Sequence, residues 1–208
     1  MGTAFELCGT CLDLHGDHLV SCKFSGLWSR HNTCVSTMEH IATVAGLSTK
    51  LEVSVIGKER PIDLLVSPWD GGRAAACDFT AVHPLNPSSP WSSASPAVDQ
   101  AEETKFKNQA AVVERSGLSF FPVGVDTFGA YGAKGQKFLS RLFHCYAKRC
   151  GPAPELQSPG ELQRQCWGRF SVALQGGCWQ AAVPGSDLGR FHTPGLRPVG
   201  QVKKRARS

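Results

Sequence analysis

Pro61-Ile62-Asp63-Leu64-Leu65-Val66-Ser67 and, one turn later, Ala74-Ala75-Ala76-Cys77-Asp78-Phe79-Thr80-Ala81-Val82 are the two runs on which the fold turns. Both are short and apolar, and Pro68-Trp69-Asp70-Gly71-Gly72 between them is turn chemistry. Two strands are expected. Each holds one aspartate, and Asp78 stands in the middle of the more apolar run. An unpaired charge there costs several kcal/mol, so Asp78 calls for a partner or a metal. If the strands pair antiparallel, Asp63 and Asp78 face a common point at one edge of the sheet. Two carboxylates suit a magnesium-type ion, which usually takes one or two and leaves room for water and phosphate.

Upstream, Leu51-Val53-Val55 alternates as a strand should, with Glu52 and Ser54 on the other face. Glu52 is then positioned to supply a third oxygen. Before it, Val35, Met38, Ile41, Ala42 and Ala45 follow helical spacing, with Asn32 and Thr33 as N-caps and Gly46 closing the helix. Downstream, the Pro- and Ser-rich stretch from Pro84 to Pro96 reads as a loop. A helix follows from Ala97 to Arg115, stopped near Gly117, then a strand from Ser119 to Asp126 and a helix from Lys134 to Lys148. Pro152, Pro154 and Pro159 mark a linker, and a last helix covers Glu161 to Leu174. Beyond Gly176 the Gly, Pro and Arg content predicts disorder. The expected fold class is α/β, a mixed sheet of about four strands flanked by helices.

At the start of the chain, Cys8-x2-Cys11-x6-His18-x3-Cys22 brings four soft donors into fifteen residues. Zinc takes tetrahedral thiolate and imidazole ligands, and Cys-x2-Cys lets one tight turn present two sulfurs. A structural Zn2+ is expected, because four protein ligands leave no open position for water. His15 lies in the same loop and competes with His18 for the fourth place. The other cysteines (Cys34, Cys77, Cys145, Cys150, Cys166, Cys178) offer no second four-ligand pattern and read mostly as buried thiols.

Composition sets the remaining bounds. The chain has 208 residues, of which 41% are hydrophobic, enough for one domain with a real core plus appendages. Nine cysteines, an odd number, behind an N-terminus too polar for a signal peptide predict a reducing compartment and no secretion. No apolar run approaches the roughly 18 residues of a membrane span, and no membrane association is expected. The net charge of +5 is concentrated in Lys203-Lys204-Arg205-Ala206-Arg207; without those four cations, 18 basic residues face 17 acidic ones. A nearly neutral body with a basic tag predicts a nuclear or cytoplasmic protein.

Hydrolysis of a phosphodiester also needs a cation near the attacking water and the developing phosphorane charge. Lys105 is the first candidate and Lys107 the second. By itself Glu102-Glu103-x-Lys105-x-Lys107 has the composition of any solvated helix face.

The order of these features resembles a known family. Cys8-x2-Cys11-x6-His18-x3-Cys22, Arg30-His31-Asn32, Arg60-Pro61-Ile62-Asp63, Cys77-Asp78-Phe79-Thr80 and Ala101-Glu-Glu-Thr-Lys105 follow one another as in the C-terminal zinc knuckle and restriction-like endonuclease of non-LTR retrotransposons, a branch of the PD-(D/E)XK nucleases. The likeness continues through Phe121-Pro122-Val123 and Thr127-Phe128-Gly129 to Trp167-Gly-Arg-Phe-Ser171, covering about residues 8 to 175. Thr80 stands where the wider superfamily carries its lysine, and no two aspartates are adjacent, so no reverse-transcriptase signature is present.

The resemblance implies a restriction-endonuclease-like core and nicking of DNA dependent on Mg2+ or Mn2+. It implies Asp63 and Asp78 as ligands of that ion, Lys105 as the catalytic lysine and Glu52 as an accessory acid. Arg30, His31 and Lys107 would contact nucleic acid, and DNA, with a reverse transcriptase or its RNA, would be the partner. The corresponding division is a zinc module over 1–31, the nuclease-like domain over 32–150, a linker and helix over 151–175 and a disordered basic tail over 176–208. The competing expectation is a catalytically inactive zinc-containing module that binds nucleic acid or protein.

Overall fold

The computed structural model describes residues 27–55, 62–84, 96–150 and 159–182. The element order is α1 (Leu27–Val44), β1 (Ser48–Val53), β2 (Ile62–Ser67), β3 (Ala75–Val82), α2 (Ala97–Arg115), β4 (Ser119–Asp126), α3 (Ala133–Cys150) and α4 (Pro159–Ala182). The four strands form one mixed sheet in the order β1-β2-β3-β4. β1, β2 and β3 pair antiparallel, while β4 runs parallel to β3 after the crossover through α2. The expected mixed sheet flanked by helices is therefore present. The expected zinc ligands Cys8, Cys11, His18 and Cys22, with residues 85–95, 151–158 and 183–208, lie outside the described residues.

The burial pattern explains the layering. In β2, Ile62, Leu64 and Val66 are buried while Asp63, Leu65 and Ser67 are less so, and β3 is buried over most of its length. A strand enclosed on both faces is read as a continuous apolar run, as the Ala74–Val82 stretch was. On one face Leu64, Val66, Cys77 and Phe79 meet Met38 and Ile41 of α1, Phe138 and Leu142 of α3, and Phe170 and Leu174 of α4. On the other face Ala76 and Phe120 meet Ala110 and Val113 of α2.

Three elements differ from expectation. α1 begins at Leu27, so Asn32 and Thr33 lie inside the helix instead of capping it. The Thr37 hydroxyl donates to the Thr33 carbonyl, 2.7 Å, and the buried Arg30 and Cys34 carry the packed face back a further turn. α4 continues to Ala182 through Gly176 and Gly177, past the expected end at Leu174. A helix already anchored by Phe170 and Leu174 extends through glycine at a cost of only about 1 kcal/mol per residue. β1 also departs from alternation: Leu51 is 43% exposed, and Glu52 has φ 49°.

Candidate active site

Strand register places the acidic residues. Leu64 pairs with Cys77, so one step further along the antiparallel pair Asp63 stands opposite Asp78. Leu51 pairs with Leu64 and Val53 with Ile62, which puts Glu52 opposite Asp63. The three acids occupy one row across β1, β2 and β3. Directly opposed residues of adjacent strands lie about 5 Å apart at Cβ.

The β2–β3 ladder ends at this row, and side chains take over from the backbone. Asp63 Oδ2 accepts the Phe79 N–H, 2.6 Å, and Asp63 Oδ1 lies 3.3 Å from His31 Nε2. On the other side Lys105 Nζ is 2.8 Å from Asp78 Oδ1 and donates to the Phe79 carbonyl, 3.1 Å. The Phe79 peptide is thus gripped at both ends, its N–H by Asp63 and its C=O by Lys105. The Phe79 ring, 1% exposed, backs the His31 ring at 5.5 Å, edge to face. His31 in turn carries Trp28 at 6.2 Å.

The two aspartates titrate in opposite directions. Burial pushes the Asp63 carboxyl up, but the His31 bond and charge, the Phe79 N–H and the neighbouring Asp78 outweigh it and hold Asp63 below the ordinary aspartate range. Burial also raises Asp78; Lys105 draws it back, the Asp63 charge adds to the rise, and the net shift is upward. Two carboxylates so close favour one shared proton or a cation between them. Beneath them Cys77 is fully buried, and burial, then the two carboxylates, push its thiol well up. It is an inert core thiol.

Glu52 lies on the far side of Asp63 from Lys105. With Asp63, His31, Asn32, Val35, Ser36 and Leu51 it lines a groove of about 380 Å³ between α1 and the β1–β2 pair. Its left-handed backbone is uncommon for a residue with a Cβ and costs about 1–3 kcal/mol. Lys107 is 72% exposed, with Glu103 3.9 Å away. Arg30 is 3% exposed within α1.

A divalent ion of the hard, oxygen-preferring kind fits the Asp63–Asp78 pair by donor type and by closeness. Among the described residues no set of three or more His, Cys, Asp or Glu is arranged to hold a metal, so any such ion would rest on two carboxylates plus water or substrate oxygen, as magnesium commonly does.

One residue was misjudged from sequence. Glu102 was expected on a solvated face but is 1% exposed. Its Oε1 accepts the N–H groups of Gly124 and Gly135, and its Oε2 accepts that of Lys134, all at 2.8 Å. The glycines at 124, 132 and 135 were the available signal, since a Cβ at any of them would crowd this side chain.

No family model matches the chain, and comparison with curated proteins finds no match.

Proposed function

We propose that the protein is a metal-dependent endonuclease of the restriction-like kind found in non-LTR retrotransposons, nicking DNA by phosphodiester hydrolysis. The observation that carries this reading is the convergence of Asp63, Asp78 and Lys105 from β2, β3 and α2, with the two acids opposed and the lysine 2.8 Å from one of them. Three residues so far apart in the chain meet where a hard cation and a phosphate would both be served.

In this reading Asp63 and Asp78 would hold Mg2+ or Mn2+, which when bound supplies an activated water and neutralises the scissile phosphate. His31 orients Asp63 and keeps it ionised. Lys105 would direct its ammonium at the negative charge developing on the phosphoryl oxygens. Glu52 borders the groove as an accessory acid. The N-terminal Cys8, Cys11, His18 and Cys22 would bind structural Zn2+ and hold the nucleic acid beside the sheet.

The second reading, a non-enzymatic module for nucleic acid or protein, draws on a specific observation: His31 and Lys105 already satisfy the two aspartates within the chain. Nicking of supercoiled plasmid separates the two. The nuclease reading expects relaxed circles with Mg2+ or Mn2+, none with chelator, and none with Asp63→Ala or Asp78→Ala. Retarded but intact plasmid at every metal concentration would leave the binding module.

A further inference from the structure

Lys105 has no fixed position unless α2 does; Ala110 and Val113 pack that helix on the sheet, Val98 and Ala101 pack it beside Val82, and such apolar contacts set its axial position less sharply than hydrogen bonds. The helix enters from residues outside the described structure, Pro96 makes no side-chain cap, and its outer face is solvated. Sliding or rotating the helix by a fraction of a turn would carry the ammonium away from Asp78.

We propose that Glu102 is the positioning residue for Lys105, pinning the axial and rotational setting of α2 against the β4–α3 junction. This rests on the reading of Lys105 as part of the reacting site. Glu102 and Lys105 are three residues apart and project from neighbouring points of one helix face. Glu102 reaches Gly124 on β4, and Gly124 pairs with Thr80 on β3. Lys105 reaches Phe79, the residue before Thr80. The two side chains therefore fasten adjacent turns of α2 to adjacent positions of the same strand pair.

The fastening is built and not incidental. Three N–H groups from two elements converge on one carboxylate. A Cβ at Gly135 would stand 2.7 Å from Glu102, one at Gly124 2.8 Å, and one at Gly132 would overlap the carboxyl group itself. A turn earlier Asp99 Oδ1 accepts the Ala133 N–H, 2.9 Å. Lys134 Nζ closes on Glu103, 2.7 Å. All of these ties but the one to Gly124 on β4 join the first half of α2 to the start of α3, and Lys105 lies just beyond the last of them. The three donors favour the ionised carboxylate at the head of α3.

The test is lysine acetylation of the full-length, metal-free protein, with Lys105 read against the exposed Lys137 by peptide mass spectrometry, alongside thermal melting and plasmid nicking. Glu102→Ala should raise Lys105 labelling severalfold over Lys137. Glu102→Gln, which keeps an oxygen for Gly124 and Gly135, should restore most of the protection. Gly132→Ala, which displaces the same carboxylate without touching α2, should expose Lys105 as Glu102→Ala does, and the double variant should add little. In nicking, kcat should fall on the order of a hundredfold with KM little changed, as expected for a misplaced group. Unchanged relative labelling of Lys105 in folded Glu102→Ala and Gly132→Ala proteins, with only the melting temperature lowered, would overturn the proposal. If wild-type protein does not nick but Lys105 becomes exposed in these variants, the nuclease reading falls and the pinning role stands.

Discussion

Glu102 and Asp78 are both buried acids in contact with the sheet, and in both burial is the first cause of a raised pKa. They differ in what compensates. Glu102 is met by three backbone N–H groups that cannot move away without unfolding a helix start and a strand. Asp78 is met by one lysine on a long flexible stem, and its nearest other neighbour is a second carboxylate. Fixed neutral dipoles make an acid part of the frame. A movable cation and a like charge make it a place where another cation can enter. Burial alone does not distinguish a structural carboxylate from a reactive one; the exchangeability of its partner does.

Substitution tests that distinction most strongly at the dyad. Asp63→Asn and Asp78→Asn should each lower nicking by on the order of a thousandfold, about 4 kcal/mol at 1.36 kcal/mol per decade, while both proteins stay folded by circular dichroism. Glu102→Ala should do the reverse in kind, lowering unfolding free energy by about 3 kcal/mol in urea titration, because it strands buried donors worth about 1–3 kcal/mol each. Should Asp78→Asn prove the more destabilising of the two, the contrast between frame and site is wrong.

Acid titration of stability gives a smaller effect with a defined sign. Asp63, held below its ordinary value of 3.8, contributes stability above that pH and loses it as the pH falls through the lowered folded value. Asp78 and Glu102, raised from 3.8 and 4.5, act oppositely. Their contribution is full below those values and is lost as pH rises through the higher folded ones. Metal-free Asp78→Asn should therefore show a flatter decline of the urea midpoint above pH 3.8 than wild type, and Asp63→Asn should remove the loss at the acid end. Smallest of all, Glu52→Gly relieves φ 49° and should raise stability by about 0.5–1 kcal/mol, with the melting temperature as the readout.

How far these contrasts could be read in advance depended on the range of the interactions. β4 and α2 have the expected limits because Gly117 and the apolar runs mark them locally. The opposition of Asp63 and Asp78 needed only an antiparallel turn between two recognisable strands. The start of α1 was missed because Arg30 and Cys34 are helical through tertiary burial. Glu102 was missed because its donors lie 22 to 33 residues away along the chain. Beside Glu103, Lys105 and Lys107 it is compositionally identical to a solvated acid, and only the packing of α3 against α2 separates them.

The backbone of Glu52 has one more consequence. β1 is the outermost strand beside β2, and a sheet margin with free amides and carbonyls invites another polypeptide to pair along it. With φ 49° at Glu52, the row of outward hydrogen-bonding groups is broken one residue before the strand's end, and the charged, exposed Lys50 and Glu52 flank Leu51 there. An incoming strand would find only a few residues in register before meeting that break. The same irregular residue that borders the groove thus guards the margin of the sheet against intermolecular strand addition, and a chain straightened at this point would be the more prone to aggregate.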